Sequence, residues 1–401
     1  MRLNKVVHNN ILIYKYSAQE RILSFLPFFP NSDGVSEAKI SLEKLSGENR
    51  AINQFEISHK NGDSDIPIVM LHGYGAGLGM YFLNFQGLST QLPHRRIIAI
   101  DHLGMGLSSR PKFHIKSNLT PIAKVEAAEN FFVDSLEEWR KKRGFSKMTI
   151  VGHSLGGYLS VAYATRYPAH VERLILVSPV GFKPSPYGDS LKELEGDTTN
   201  LERVNSTENQ KIEEDLVQEE VRPKKNNTAK IFTFLWERNI SPFTFVRLPI
   251  IGPKMASAWT ARRFAALPEE QYQAMHTYAY EIFRQKGSGE FALGYLLAPG
   301  AYARRPLLNR MDALAKAFAG VSKNQMNAAG MDSSKEEISQ KVHFIYGSHD
   351  WMDCDGGEKA KKILAKYGVD SEVSVVDNAG HNVFLDNPEA FNKEAVRLID
   401  K

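Results

Sequence analysis

The chain has 401 residues, 42% of them hydrophobic, enough for one large domain with an insertion or two modest ones. Its formal net charge of +4 leaves acids and bases near balance and gives no sign of a nucleic-acid binder. The single cysteine, Cys354, excludes an intrachain disulfide and fits a reducing compartment or the mitochondrial matrix, and no apolar run reaches the ~20 residues needed to span a bilayer.

The start of the chain carries Arg2, Lys5 and Lys15, with no acid before Glu20. A basic, acid-free start is compatible with a mitochondrial presequence, although it is poor in serine; an ordinary N-terminal helix fits as well. Leu12 to Phe29 is amphipathic and aromatic. It reads as a helix packed on the domain or dipped into a membrane surface, ended by Pro27 and Pro30. Residues 1–35 are taken as this segment, for targeting or membrane contact, and residues 36–182 as the first part of the core. Asn53 to Ser58 follows as a strand. Ile66 to Leu71 is a continuous apolar run, as in a strand buried on both faces of a parallel sheet. It leads into His72-Gly-Tyr-Gly-Ala-Gly77, a Gly-rich loop able to turn backbone N–H groups toward a small anion. A phosphate-binding loop is disfavoured, because no lysine follows the glycines. Arg96 to Ile100 is the next strand. The loop Asp101 to Pro111 reads as structural, with glycines for turns and Asp101 or Ser108 as local caps. Lys124 to Arg143 has apolar positions at helical spacing.

Met148 to Val151 is a short buried strand. It runs into Gly152-His-Ser-Leu-Gly156 and then into a helical stretch, Gly157 to Ala164. Strand, sharp turn and helix with a G-x-S-x-G at the turn put a strained serine at the apex, above a helix N-terminus. This makes Ser154 the candidate nucleophile; a helix N-cap serine is the alternative. Arg173 to Pro179 continues the alternation of strands and helices, which means an α/β fold with a mostly parallel, doubly wound sheet.

After this strand, which takes the place of the sixth in the expected fold, the pattern breaks. Tyr187 to Asn227 is polar and charged, without apolar periodicity, and reads as a flexible excursion. Lys230 to Arg310 is rich in aromatics on helices broken by prolines. An insertion at this place sits over the carboxyl ends of the strands, where ligands bind. Residues 183–335 are therefore read as the excursion plus a helical lid with an apolar inner face, rimmed by Lys254, Arg262, Arg263, Arg304 and Arg305; a helical subdomain with its own core is the alternative. The core resumes over 336–401, with strands at Lys341 to Gly347 and Ser371 to Val376, the loop Asn378-Ala-Gly-His381, and a last helix from Pro388.

Serine is a poor nucleophile alone; it needs a base, and the base needs an orienting carboxylate. In this arrangement the partners follow in the order Ser, acid, His, each in a loop after a strand. His381 takes the base position; His276, His343 and His349 do not. The acid is Asp350, three residues past Gly347, or Asp353, one helical turn later; Asp350 is favoured. Tyr74 and Leu155 N–H groups form the oxyanion hole. No metal or cofactor is called for.

These stretches resemble the alpha/beta-hydrolase fold. Within it they resemble the subfamily of comparative-gene-identification lipid hydrolases, lysophospholipid acyltransferases and fungal mitochondrial cardiolipin deacylases. The likeness rests on Leu71 to Phe85, Asp101 to Pro111, Gly152 to Gly156, Gly347 to Gly356 and Gly380 to Asp386. Some members lack the serine and act as coactivators; the presence of Ser154 here implies an enzyme. The resemblance places the acid at either Asp350 or Asp353. It also implies an H-x4-D acyltransferase motif, His381 with Asp386. Against that stands a structural reading of Asp386, beside a helix start at Asn387-Pro388-Glu389.

The expectation is a serine acyl hydrolase, of phospholipase A type, acting on a glycerophospholipid, plausibly cardiolipin, while peripherally bound to anionic membrane. The expected location is mitochondrial, with lipid droplet or cytoplasm as alternatives. The alternative functions are an acyl-CoA-dependent lysophosphatidic acid acyltransferase and, from another class, a non-catalytic lipase coactivator or lipid-droplet scaffold.

Overall fold

The computed structural model describes residues 6–8, 11–13, 17–60, 62–183, 233–236, 238–328, 339–352 and 354–401. The polar stretch 187–227 and Asp353 therefore lie outside the described residues. Eight strands form one sheet: β1 (Ser36–Lys44), β2 (Ala51–His59), β3 (Ile68–Leu71), β4 (Ile97–Ile100), β5 (Met148–His153), β6 (Val171–Val177), β7 (Lys341–Gly347) and β8 (Asp370–Val376). Their spatial order is β8-β7-β6-β5-β3-β4-β2-β1. β1 and β2 pair antiparallel, as do β2 and β4; every pairing from β4 through β3 to β8 is parallel.

The apolar runs are continuous because both sheet faces are covered. Alternate residues of one strand serve different cores: Val69 and Leu71 of β3 point into one, Ile68 and Met70 into the other. The first core is closed by α3 (Pro121–Lys142), α4 (Leu155–Arg166) and, further along the chain, Met311–Ala328 and Cys354–Ala365. The second lies under α1 (Ala18–Leu23), α2 (Phe82–Gln91) and the C-terminal Pro388–Asp400. Thr120 caps α3, with Pro121 in its first turn, and Arg140, Lys141 and Lys142 occupy its last turn, where the helix dipole favours cations.

Leu12 to Phe29 does not form one helix. Ile11–Ile13 pairs antiparallel with Val6–His8, and α1 starts only after Ser17. The break is made by a capping box: Ser17 Oγ accepts from Glu20 N–H (3.2 Å) and Glu20 Oε2 from Ser17 N–H (2.8 Å). Ile22, Leu23, Leu26 and Phe28 are buried in the second core, so this part packs on the domain.

Within the inserted segment lie α5 (Ile251–Arg263), α6 (Glu269–Phe283) and α7 (Met311–Ala328), before α8 (Cys354–Ala365) and α9 (Pro388–Asp400). Phe243 and, on α6, Tyr278 lie against the loop that follows β3, so this part of the insertion covers the carboxyl end of that strand. Met311, Leu314, Ala315 and Phe318 of α7 are fully buried in the first core, so α7 is a layer of the main body. None of the described helices is long and apolar enough to cross a membrane.

Two loops at the carboxyl ends of β3 and β4 are locked together by buried polar groups. Asp101, fully buried, accepts from Leu78 N–H (2.7 Å), Leu107 N–H (2.8 Å) and Asn53 Nδ2 (2.7 Å). It is therefore the tie between both loops and β2, more than a local cap. His72 Nδ1 donates to Gly73 O (2.7 Å) while its Nε2 accepts from His102 N–H (3.2 Å). His102 Nε2 in turn donates to His72 O (2.9 Å). Burial lowers the pKa of His72 to about 4 and of His102 to about 3, so both are neutral when folded. From α6 the buried Tyr278 reaches down, and its hydroxyl accepts from Gly79 N–H (3.0 Å).

Removing the tie should cost stability directly. Asp101→Ala leaves buried donors unpaired and is expected to lower the unfolding free energy by about 3 kcal/mol or more, read from urea denaturation; a change under about 1 kcal/mol would contradict the tie. A pH dependence follows as well. Unfolded histidines protonate near pH 6.5, but folded His72 resists protonation down to about 4 and His102 to about 3. The unfolded state thus binds more protons, and stability should fall as pH drops from about 6.5 toward 4, by up to about 1.4 kcal/mol per pH unit for each histidine. His72→Asn should make that slope shallower in urea midpoints measured across the window; an equal slope would remove His72 as its cause.

Candidate active site

β5 meets α4 at a turn one residue long. Ser154 sits there at φ 52° and ψ −113°, a backbone region L-residues rarely adopt. The neighbours force it. A Cβ on Gly152 would come within 2.7 Å of Gly156 O, and one on Gly156 within 2.8 Å of His72 O. Strand β5, helix α4 and strand β3 are packed too closely for side chains at either glycine. The Ser154 N–H donates to Val177 O (2.9 Å), which ties the turn to β6.

The hydroxyl of Ser154 lies 3.1 Å from His381 Nε2, and His381 Nδ1 lies 3.1 Å from Asp350 Oδ1. Three loops, after β5, β7 and β8, bring these residues together in the order nucleophile, acid, base. The loops also hold one another: His349 N–H donates to Ala379 O (2.9 Å), and His153 Nε2 lies 3.0 Å from His381 O. Burial, with the positive potential of His381, keeps the His153 pKa well below its ordinary value, so its Nε2–H can serve as a fixed donor to that carbonyl. Burial pushes the Asp350 carboxyl up. The bonds it accepts from His381 and from Met352 N–H (3.0 Å) outweigh this and leave its pKa below the ordinary value. Asp350 is thus a carboxylate at neutral pH, able to hold His381 with Nε2 free to accept the Ser154 proton.

Beside the serine, Gly73 approaches so closely that a Cβ there would lie 3.0 Å from Ser154 Cβ. Tyr74 follows in that loop, and its N–H has no backbone acceptor among the described residues. Leu155 is the first residue of α4, where N–H groups lack intrahelical acceptors. Both residues thus adjoin Ser154, where oxyanion donors would be needed.

An apolar cavity of about 240 Å³ opens at Tyr74, lined by Phe243, Val246, Met255, Ala256, Trp259 and Phe283. Its walls are held by ring contacts: Phe243 stacks on Phe283 at 5.1 Å and Trp259 meets Phe283 edge-on at 5.0 Å. A larger cavity, about 510 Å³, is bordered by Glu129, Arg166, Arg304, Arg305 and Arg310 but by no residue of the serine site, so volume alone does not make it the reaction centre.

That second cavity corrects the basic rim. Arg304 donates to Gly294 O (2.9 Å) and Arg305 pairs with Glu126 (3.3 Å), both away from Ser154. Tertiary packing of the 304–313 segment against α3 turns these cations aside. Lys254 and Arg262 are exposed on α5, while Arg263 is half-buried. The remaining histidines are elsewhere: His276 bonds Thr260 (2.7 Å), His349 bonds its neighbour Ser348 (3.1 Å), and His343 is buried in β7. Asp386 accepts from Gly380 N–H (2.9 Å) and fastens the loop that carries His381. Both His381 ring nitrogens are engaged by other residues, so the structure does not join His381 and Asp386 as a side-chain dyad. Asn387 caps α9 by accepting from Ala390 N–H (3.3 Å).

Three residue types alone do not make such a site. Ser89, His59 and Asp63 also meet, at 3.0 and 2.9 Å. Ser89 is only 2% exposed and shares its hydroxyl with Ser36 (3.1 Å), so that cluster is a structural network without access for a substrate. Sequence reasoning missed His153, Tyr278 and Trp351. His153 and Tyr278 act through partners distant in sequence. Trp351, 52% exposed, lies 4.8 Å ring to ring from His381, and its position directly after Asp350 was the available signal.

Comparison with known proteins agrees with this fold. The chain is 33% identical, over 94% of its length and 78% of the relative's, to a 1-acylglycerol-3-phosphate O-acyltransferase of Arabidopsis thaliana. It is 30% identical, over 83% of its length and 79% of the relative's, to a (lyso)-N-acylphosphatidylethanolamine lipase of Bos taurus. Among solved structures, a bromoperoxidase from Bacillus anthracis shares the fold with a TM-score of 0.54 at 13% identity, covering 90% of this chain and all of that one. The alpha/beta hydrolase fold family matches residues 66–388, and with the sheet order and the serine turn already described, the chain belongs to that family.

Proposed function

We propose that the protein is a serine acyl hydrolase acting on glycerophospholipids, cardiolipin among them, at a membrane surface. The observation that carries the reading is the Ser154–His381–Asp350 chain of contacts at 3.1 Å each, beside an apolar cavity sized for part of an acyl chain. His381 Nε2 takes the Ser154 proton as Oγ bonds to the ester carbonyl carbon. The carbonyl oxygen becomes an oxyanion held by Tyr74 and Leu155 N–H groups, each worth about 10²–10³ in rate in comparable sites. The ester C–O bond then breaks, and His381 returns the proton to the departing alcohol. Water, deprotonated by His381, attacks the acyl-enzyme, and the fatty acid leaves Ser154 as it was. The chain's likeness to proteins named for acyl lipids supports the substrate class.

Acyl transfer is the second reading, favoured by the Arabidopsis relative's name. The geometry supports it best through the same serine, with a lysolipid hydroxyl in place of water. A reaction run by His381 and Asp386 alone finds no support in the contacts of Asp386.

Product analysis by mass spectrometry on phosphatidic acid, phosphatidylethanolamine and cardiolipin vesicles, with and without acyl-CoA, tests this. Wild type should release fatty acid without acyl-CoA. Ser154→Ala should lose roughly a millionfold in kcat and Asp350→Asn roughly ten-thousand-fold, while Asp386→Asn should retain the larger share of activity. Product formed only with acyl-CoA and surviving in Ser154→Ala would overturn the serine mechanism.

A further inference from the structure

The inner face of lid helix α5 changes character along its length. Ala256, Trp259 and Arg263 recur at i, i+3 and i+7, the spacing of one helical face. Ala256 and Trp259 border the apolar cavity beside Tyr74. One turn further, the same face carries Arg263, half-buried, whereas its neighbour Arg262 is exposed. Arg263 Nε is enclosed by protein and has no hydrogen-bond partner, and its guanidinium forms no ion pair among the described residues. The carboxylates that act on it are Asp386 and Asp350, on the two loops that carry and orient His381. Burial nevertheless dominates and lowers its pKa. An arginine keeps its charge under such a shift. The lid helix thus carries a partly desolvated cation, with an unpaired Nε–H, within electrostatic reach of the carboxylates on the two His381 loops. Such a group is costly until it meets an anion.

The chemistry gives that side a meaning. In acyl transfer the acyl half of the ester faces the oxyanion donors, and the alcohol half faces the base that protonates it. Here the apolar cavity adjoins Tyr74, while the charge of Arg263 is felt by Asp386 and Asp350 on the His381 loops. We propose that Arg263 binds the phosphate of the glycerophospholipid headgroup, so that the acyl chain enters along Ala256 and Trp259 and the phosphate-bearing alcohol departs past His381. One lid helix then reads both ends of the substrate, tail with its first turns and head with its last. The inference rests on the glycerophospholipid reading and adds the residue that recognises the anionic group. Planar, bidentate donation suits arginine to a phosphate better than lysine.

The test uses soluble esters, so that attraction to a membrane surface does not enter. For wild type, Arg263→Gln and Arg263→Lys, kcat/KM is measured on dihexanoyl phosphatidic acid and on dihexanoylglycerol, both below their micelle concentrations. The quantity read is the ratio of the two. Wild type should favour the phosphate ester. In Arg263→Gln the ratio should fall about tenfold to a hundredfold, the range for one charge-assisted hydrogen bond, mainly through KM. Arg263→Lys should recover part of it. A wild-type preference that Arg263→Gln leaves intact would overturn the assignment of Arg263 and leave the substrate class standing. Wild type that cleaves dihexanoylglycerol but never the phosphate ester would overturn the glycerophospholipid reading itself, and Arg263 with it.

Discussion

The site depends on one backbone conformation. Ser154 at φ 52° is tolerable only because the chain on both sides is pinned: β5 by the parallel ladder to β3 and β6, α4 by its packing under β3. Strain at a single residue costs of order 1–3 kcal/mol and persists where its surroundings over-determine it. What it secures is direction. The hydroxyl stands clear of the helix that follows, in reach of His381, with the first N–H groups of α4 beneath it.

The second constraint is polar and buried. Asp101, His72 and His102 convert two Gly-rich loops into one rigid object, and Tyr278 fastens the lid to it. An oxyanion hole works by being organised before charge develops. For the loop of Tyr74 such organisation would come from Asp101, His72 and His102, all buried away from solvent. A neutral imidazole serves because it can donate and accept at once: His72 donates to Gly73 O and accepts from His102 N–H, and His102 Nε2 closes the cycle on His72 O.

Much of this was legible in the sequence because the signals were local. A strand buried on both faces, a glycine on each side of a serine and a histidine after the last strand are short patterns, and each fell where the fold places it. What was not legible required the phase of a helix or a contact across the chain. Arg262 and Arg263 are adjacent letters, and only the register of α5 separates an exposed cation from a half-buried one. Arg304 and Arg305 look like rim residues until Glu126 and Gly294 O are seen beside them. Asp350 and Asp353 stand one helical turn apart, too near for spacing to separate; Asp350 lies 3.1 Å from His381, and Asp353 lies outside the described residues. The stretch Leu12 to Phe29 misled because hydrophobicity was counted and the capping box at Ser17 and Glu20 was not.

The turn at Ser154 also bears on how such a protein changes over generations. The elbow is shaped by Gly152, Gly156 and the strands around it, while the serine side chain contributes one contact, to His381. Chemistry and architecture therefore hang on different letters of the sequence. A lineage that lost the hydroxyl would keep the sheet, the apolar cavity and the helix that lines it. It would inherit a ready-made receptor for an acyl lipid, one mutation from its enzymatic parent and free to drift toward binding, carrying or signalling.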